Sequence, residues 1–301
     1  MVPRSLALAA GALALLGASV EDGRASQLLD RNARDVTLRV SPNGAALITY
    51  RARGSVRRLL AWGGLNAVAP TAGRKQVAFR LDYSGGFARR ARRVAARFGG
   101  HCLPYDGPPL AWLVTACKAS DGSYWALQSW QRGLPNYGLP PTGTAAAWEL
   151  RLSHWRGGLP ALTVSTDWAY SGRFDHMYGM LRYGTQPVYG FRNTPRGSPL
   201  DTFGRNVYVD TLNSAYGPGW QRENGFLTHR PTGIFCYGFY PFRPGLTGRG
   251  QAYRATVIGP GVTPDVSWEG EAPGIYDRDR DRDRNAEQSA LFAGSKKCRA
   301  T

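Results

Sequence analysis

The chain has 301 residues and a net charge of +17, with 38 lysines and arginines against 21 acidic residues. That length is enough for one sizeable β domain, or two small ones, around a large apolar core. No stretch after residue 25 is long and apolar enough to cross a bilayer, which takes about 20 residues, so we expect no transmembrane segment in the mature chain.

The N-terminus has the layout of a secretory signal peptide. Arg4 supplies a basic start, an apolar run follows from Leu6 to Leu16, and Gly23-Arg24-Ala25 places small residues before a cleavage point. We therefore predict that residues 1–25 are removed and that residues 26–301 form a single all-β domain. An uncleaved N-terminal anchor is the alternative. The expected location is secreted or associated with the cell envelope, where nucleic acid is not the natural partner.

Four cysteines remain in the mature chain, and an even number in an oxidising compartment favours disulfides. We predict the pairs Cys102–Cys117, which flanks a turn and a strand, and Cys236–Cys298, which would hold the C-terminus in place. His229 precedes Cys236 by seven residues, so a Cys–His nucleophile is the alternative for that cysteine. An extended stretch of that length spans roughly 20 Å, and nothing in the sequence brings the two side chains together. Cys236 is therefore interpreted as structural and His229 as a polar loop residue.

Alternating apolar and polar residues predict strands in the first part of the chain. Residues 35–50 form a strand–turn–strand pattern around Pro42-Asn43-Gly44, and residues 55–62 and 75–83 add two more strands.

A basic amphipathic helix is predicted over residues 87–98. Apolar residues recur there at helical spacing, arginines fill the other face, and Gly99-Gly100 ends the pattern. The segment Arg51–Arg97 holds twelve basic residues and one acid, a balance that attracts polyanions, although a general bias toward arginine is the alternative explanation. We predict that an anionic envelope polymer contacts the arginines of this helix, which are Arg89, Arg90, Arg92 and Arg93.

Strands and turns continue to the C-terminus. Asp121-Gly122 predicts the turn of a hairpin with arms at 111–118 and 124–130, and a proline–glycine loop then marks a candidate seam at 131–147. The later segments are a hairpin-like pair in 148–170, a short strand running into an irregular loop in 204–220, and strands in 233–240 and 251–259.

This pattern predicts a mostly β protein, an antiparallel β-sandwich with one or two short helices, and a barrel-like sheet is the alternative. The second helix is expected at 286–293, after a run of alternating charges. The aspartates in Asp277–Asp281 have the spacing of a calcium loop, but Arg282 and Gln288 stand where such a loop needs glycine and glutamate. We expect neither a metal nor another cofactor.

Nine tryptophans and fifteen tyrosines suggest a role for aromatic side chains beyond the core. Trp125 and Trp130 fall on opposite faces of one predicted strand, and Trp148 and Trp155 do so on another, which leaves some of them facing outward or under loops. Exposed tryptophans can stack on sugar rings, whereas filling the core is the alternative. We predict that a glycan contacts Trp130, Tyr137 and Trp220.

Carboxylates offer a route to catalysis. Asp210 and Glu223 bracket a loop that contains Trp220, and two carboxylates across a cleft are the machinery of glycoside hydrolysis. Asp167 is a third candidate acid. The leading hypothesis is an exported, disulfide-bonded β protein of the cell envelope that binds a glycan or anionic polymer without catalysis. The alternative is an extracellular, glycosidase-like hydrolase that uses Asp210 and Glu223, and a purely structural envelope protein is a third hypothesis.

Overall fold

The computed structural model describes residues 26–68, 77–84, 98, 102–136, 139–169, 174–183, 186–187, 192–193, 199–200, 205–223, 225–229, 234–239, 249–259 and 261–291. These ranges contain a short 3-10 helix at Gly143–Ala146 and an α-helix, α1, at Arg278–Leu291. The strands are β1 (Gln27–Arg31), β2 (Arg34–Val40), β3 (Ala46–Ala52), β4 (Ser55–Gly63), β5 (Phe79–Asp82), β6 (Leu113–Lys118), β7 (Tyr124–Gln131), β8 (Trp148–Trp155), β9 (Ala161–Ala169), β10 (Phe174–Tyr183), β11 (Gln186–Pro187), β12 (Arg192–Asn193), β13 (Pro199–Leu200), β14 (Asn206–Ser214), β15 (Gly217–Arg222), β16 (Gly225–His229), β17 (Ile234–Phe239), β18 (Arg249–Ile258) and β19 (Val266–Glu271).

The strands form four antiparallel sheets. Sheet I has the order β2-β3-β4-β5, and sheet II has the order β1-β8-β7-β6. Sheet III has the order β12-β13-β14-β18-β19, with β15 also paired to β14, and sheet IV has the order β11-β10-β17-β16, with β9 also paired to β10. In the described part of the chain none of these sheets closes on itself. The predicted antiparallel sandwich is therefore confirmed, and the barrel-like alternative is not adopted.

Two apolar cores hold the sheets together in pairs. The first core lies between sheets I and II, where Ile48 and Leu59 pack in one buried cluster with Trp125. The second core lies between sheets III and IV, where Val209 and Met177 belong to another buried cluster. Each fully buried side chain of this kind contributes about 1.5–3 kcal/mol, so the two cores account for the pairing of the sheets.

The remaining faces of sheets II and III meet in a polar contact, called here the II–III interface. The Trp130 ring of sheet II packs against the Tyr208 ring of sheet III, with 4.8 Å between ring centroids. The Gln128 side chain donates to the Asp265 carbonyl at 3.1 Å and accepts from the Asp265 N–H at 3.0 Å. The sheets are therefore stacked in the order I, II, III, IV, with apolar contacts at either side of a polar centre.

The hairpin-like pair predicted in residues 148–170 does not form. Strand β8 stays in sheet II between β1 and β7, whereas β9 joins sheet IV and pairs with β10. Both edges of β8 are occupied, by β1 and β7, so β9 cannot pair with it. Gly157, with φ of 84°, lies in the connection that leads from β8 in sheet II to β9 in sheet IV. The alternation of apolar and polar residues predicted both strands correctly, but it does not determine which strands they pair with.

The irregular loop predicted before Trp220 is a strand. Strand β15 forms a hairpin with β14 and pairs Thr211 with Gln221. The register shifts between Leu212 and Ser214, next to Asn213, whose φ is 51°. This bulge and the glycine-rich composition of β15 interrupt the period of two, so the strand was not recognised in the sequence.

The charged run predicted to precede the second helix is itself helical, because α1 begins at Arg278 rather than at residue 286. The Asp277 carboxylate caps the first turn by accepting from the Arg280 N–H at 2.8 Å. The Asp281 carboxylate accepts from the Asp277 N–H at 2.7 Å. The helix predicted at 87–98 lies outside the described residues, except for Phe98, which is buried.

One predicted disulfide is confirmed. Cys102 and Cys117 are bonded, with 5.3 Å between their Cα atoms. The backbone of Cys236 lies in β17, and Cys298 lies outside the described residues, so the second pair stays a prediction. No helix of the described ranges has the length and apolar character needed to span a membrane.

Replacing both Cys102 and Cys117 with alanine is expected to lower the free energy of unfolding by about 3 kcal/mol, because the bond closes a short loop in the unfolded chain. Urea unfolding of the variant and of the oxidised wild-type protein measures the difference. Wild-type protein in a reducing buffer is the control, and it should unfold like the variant. Equal midpoints for the variant and the oxidised protein would contradict a stabilising role.

Candidate functional site

A cleft lined by four tryptophans opens where sheets II and III meet. It has a volume of about 350 Å³. One wall comes from the end of β7, the start of β8 and the preceding loops, and the other comes from β15 and β18. The lining residues are Trp112, Trp130, Gln131, Leu134, Pro135, Trp148, Pro218, Gly219, Trp220 and Arg254.

A fully buried carboxylate, Asp210, organises the wall formed by sheet III. The register of β14 places Asp210 opposite Arg222 on β15 and opposite Arg254 on β18, so one acid lies between two arginines on the same face of the sheet. Arg254 donates to Asp210 Oδ2 through Nε at 3.1 Å and Nη2 at 2.9 Å, and Arg222 donates to Oδ1 through Nε.

Each of these arginines lies over aromatic rings. The Arg254 guanidinium is 4.1 Å from the centre of the Trp220 ring and 5.6 Å from that of Trp112. The Arg222 guanidinium is 4.4 Å from the centre of the Tyr208 ring and 5.2 Å from that of Trp130. Cation–π contacts of this kind strengthen when they are desolvated, so the arginines hold the rings in place.

The loop between β7 and β8 is attached to the same wall. The Arg222 N–H donates to the Pro135 carbonyl at 2.7 Å, and Arg222 Nη1 donates to the Arg132 carbonyl at 3.1 Å. Asn136 and Leu139 exchange two backbone hydrogen bonds at 2.9 Å. The loop predicted as a candidate seam therefore forms one rim of the cleft.

The lining of the cleft is mostly apolar and carries almost no net charge. Trp148 is 45 % exposed at its mouth, whereas Trp130 is 2 % exposed and lies deeper. The only charged side chain in the described lining is Arg254, and its charge is matched by Asp210 and by Glu269, whose Oε1 is 3.5 Å from Arg254 Nη1. Such a lining suits a flat-faced ligand that stacks on indole rings and carries little charge.

The structure brings together two residues predicted to contact a glycan. Trp130 and Trp220 line the same cleft from opposite walls. Tyr137 lies outside the described residues, as do the four arginines of the predicted basic helix, Arg89, Arg90, Arg92 and Arg93. Sequence reasoning did not identify Trp112 and Arg254, because neither lies in a segment that alternation or turn residues marked as a site.

The two acids of the predicted hydrolytic pair point to opposite faces of sheet III. Asp210 faces the II–III interface, whereas Glu223 pairs with Val209 and hydrogen-bonds to Thr211, both on the face that carries the second core. Neither acid lines the tryptophan cleft. A glycosidase needs both carboxylates at one substrate bond, so this geometry gives the hydrolase alternative no support.

Two other groups considered in the sequence also lie away from the cleft. Asp167 is fully buried on β9, the strand on which α1 packs. His229 ends β16 and pairs with Phe235, while Cys236 pairs with Thr228. Within the described ranges, no group of three or more histidine, cysteine or acidic side chains is placed to hold a metal ion.

Burial changes the protonation of two of these acids. Desolvation raises the pKa of Glu223 to about 7, the nearby Asp210 charge adds to this, and the Thr211 hydrogen bond opposes it. Desolvation and the Asp281 charge raise the pKa of Asp167 to about 8, against the opposing effects of Arg284 and Tyr178. Both groups therefore favour the protonated form in the folded protein more than they do in the unfolded chain.

The chain matches no protein-family model, no curated protein and no solved structure.

The substitution Asp210→Asn is expected to lower the free energy of unfolding by about 3–5 kcal/mol, because it leaves Arg222 without its counterion and leaves the buried Arg254 with only the exposed Glu269. Urea unfolding gives the value. Glu269→Gln is the matched control, since it removes the exposed partner of Arg254 and should cost less than about 1 kcal/mol. A larger loss from Glu269→Gln than from Asp210→Asn would contradict the assigned role of Asp210.

Glu223 is expected to make the protein less stable as the pH rises. Its pKa is about 7 in the folded protein against an ordinary value of 4.5, so its stabilising effect is complete below pH 4.5 and is lost as the pH rises through 7. The size of this loss is about 3 kcal/mol. Unfolding of wild-type protein and Glu223→Gln across this window should show the wild-type protein losing more stability. Parallel pH profiles would show that Glu223 titrates normally.

Proposed function

We propose that the protein is exported and acts as a non-catalytic binding protein, and that the tryptophan cleft takes the chain of an uncharged glycan. The observation that carries this proposal is the convergence of four indole rings around a cleft in which the one charged side chain among the described lining residues, Arg254, is already neutralised. Pyranose rings present flat, weakly polar faces that lie well against indole rings, and their hydroxyl groups remain free for water at the rim.

The Cys102–Cys117 bond supports the exported location, because disulfides persist in oxidising compartments. The N-terminal sequence supports it independently through the layout of a signal peptide. An envelope protein with a sugar-binding cleft would meet its ligand outside the cytoplasm.

The basic segment Arg51–Arg97 would supply a second kind of attraction, toward anionic polymers. The two modes differ in their dependence on salt. Exposed charges are screened within about 10 Å at 0.1 M salt, whereas stacking in a neutral cleft is not.

Trp148→Ala and Trp220→Ala each remove a ring on which a sugar would stack. Each is expected to weaken glycan binding about tenfold or more, which corresponds to a loss of about 1.4 kcal/mol in binding free energy. Calorimetry with soluble uncharged glucan and N-acetylglucosamine oligomers gives the affinity. Tyr83→Ala, which removes an exposed aromatic ring outside the cleft, is the matched control and should bind like the wild-type protein.

The same titrations at about 0.05 and 0.5 M salt separate the two modes of binding. Affinity for the uncharged oligomers should not change with salt. Binding only to polygalacturonate, and only at low salt, would assign the function to the basic segment, which the combined replacement of Arg89, Arg90, Arg92 and Arg93 with glutamine then tests. Binding to neither class of polymer would favour a structural envelope protein.

A further inference from the structure

Ser26 is fully buried where the chain enters β1 at the II–III interface. Its hydroxyl donates to Asp265, at 2.7 Å from Oδ1 and 2.6 Å from Oδ2. Its carbonyl accepts from the Gly261 N–H at 3.0 Å. The connection between β18 and β19 closes tightly around this residue, because a Cβ atom on Gly259 would come within 2.4 Å of the Ser26 nitrogen. The fold therefore encloses both the nitrogen and the hydroxyl group of Ser26.

Asp265 lacks a bonded cation in this enclosure. Its carboxylate is buried, and its hydrogen bonds come from the Ser26 hydroxyl and from the Gly259 N–H at 2.7 Å, both neutral donors. The ion pairs formed among the described residues do not include Asp265. Arg151 and the buried Arg205 attract it through space without bonding to it. Arg151 donates to Glu149 at 2.6 Å and to the Ser26 hydroxyl at 3.3 Å. Desolvation accordingly raises the pKa of Asp265, and a buried carboxylate of this kind favours any cation that can reach it.

The Ser26 nitrogen is within reach of this carboxylate. The nitrogen of a serine lies about 3 Å from its own Oγ, which places Ser26 N within about 6 Å of both Asp265 oxygens. Removal of a signal peptide hydrolyses the bond between Ala25 and Ser26. Water adds to the Ala25 carbonyl, Ala25 leaves as a carboxylate, and the released Ser26 amine takes up a proton below a pKa of about 8.

We propose that cleavage after Ala25 creates an ammonium group on Ser26 that Asp265 binds, so that removal of the leader adds a bonded cation to this buried carboxylate. The inference rests on the export proposed above, because a signal peptidase of the export pathway has to make the cut. Before cleavage the same nitrogen is an uncharged amide, which cannot neutralise Asp265. The mature N-terminus is thus a structural ligand of its own fold.

Two preparations test the docking of the ammonium group separately from export. The first is the exported protein, whose N-terminal sequence should begin at Ser26. The second is released from a fusion by a site-specific protease so that it also begins at Ser26. In both, an amine-reactive ester should label the folded α-amino group at least about tenfold more slowly than the urea-unfolded one, because a bound ammonium is the unreactive form. Lys118 serves as the internal reference for reagent activity.

Retention of Ala25 provides the matched comparison. The chain that begins at Ser26 should have a folding equilibrium constant about tenfold higher than the chain that keeps Ala25, and this ratio should fall below about twofold in Asp265→Asn. If Asp265→Asn does not fold, the wild-type chain with an acetylated Ser26 replaces it and should match the chain that keeps Ala25.

Equal labelling rates in folded and unfolded protein would overturn the proposal, and so would equal stability with and without Ala25. A different N-terminus in the exported protein would contradict the predicted leader. The protease-released chain would still decide whether the Ser26 ammonium binds Asp265.

Discussion

The pairing of one buried carboxylate, Asp210, with two arginines is the interaction on which the centre of the molecule depends. Asp210 has no exposed surface, and both Arg222 and Arg254 bond to it from neighbouring strands. Without the acid, Arg222 would be desolvated without a counterion and Arg254 would keep only the exposed Glu269, a loss of about 3–5 kcal/mol. Because Asp210 fixes both guanidinium groups, the aromatic rings pack against them in defined positions, and Arg254 holds Trp220 in the wall of the cleft.

The stacking of the sheets explains why the cleft lies where it does. The two outer contacts between sheets are clusters of buried apolar side chains. The II–III interface is built from large polar and aromatic side chains that meet at defined points, such as Trp130 against Tyr208. At its edge, the loop that begins after β7 bonds to Arg222 of β15 through the Arg132 carbonyl, and the cleft opens beside this contact.

The sandwich could be predicted from the sequence because the alternation of apolar and polar residues is a local property of each strand. It missed the separation of β8 and β9 into different sheets, since the choice of partner depends on which strand edges are free. Composition was enough to predict that Trp130 and Trp220 contact a ligand. Predicting the cleft between them would have needed the pairing register of β14 and β15. The same register sets Asp210 and Glu223 on opposite faces, and the bulge beside Asn213 that helps to fix it could not be located from the residues alone.

A neutral cleft in a protein of net charge +17 is a consequence of how the charges are paired. The II–III interface contains Glu149, Asp210 and Asp265, and the first two are each bonded to buried or half-buried arginines. Arginines near these acids are neutralised inside the fold, so much of the excess positive charge is left for other parts of the chain. Under the proposed function, the cleft would select its ligand by shape and stacking, and attraction to anionic surfaces would act elsewhere. Asp210 neutralises Arg254 in the cleft and also pairs with Arg222, whose guanidinium bonds to the Arg132 carbonyl of the opposite wall. The chemistry of the site and the stability of the fold therefore depend on the same groups.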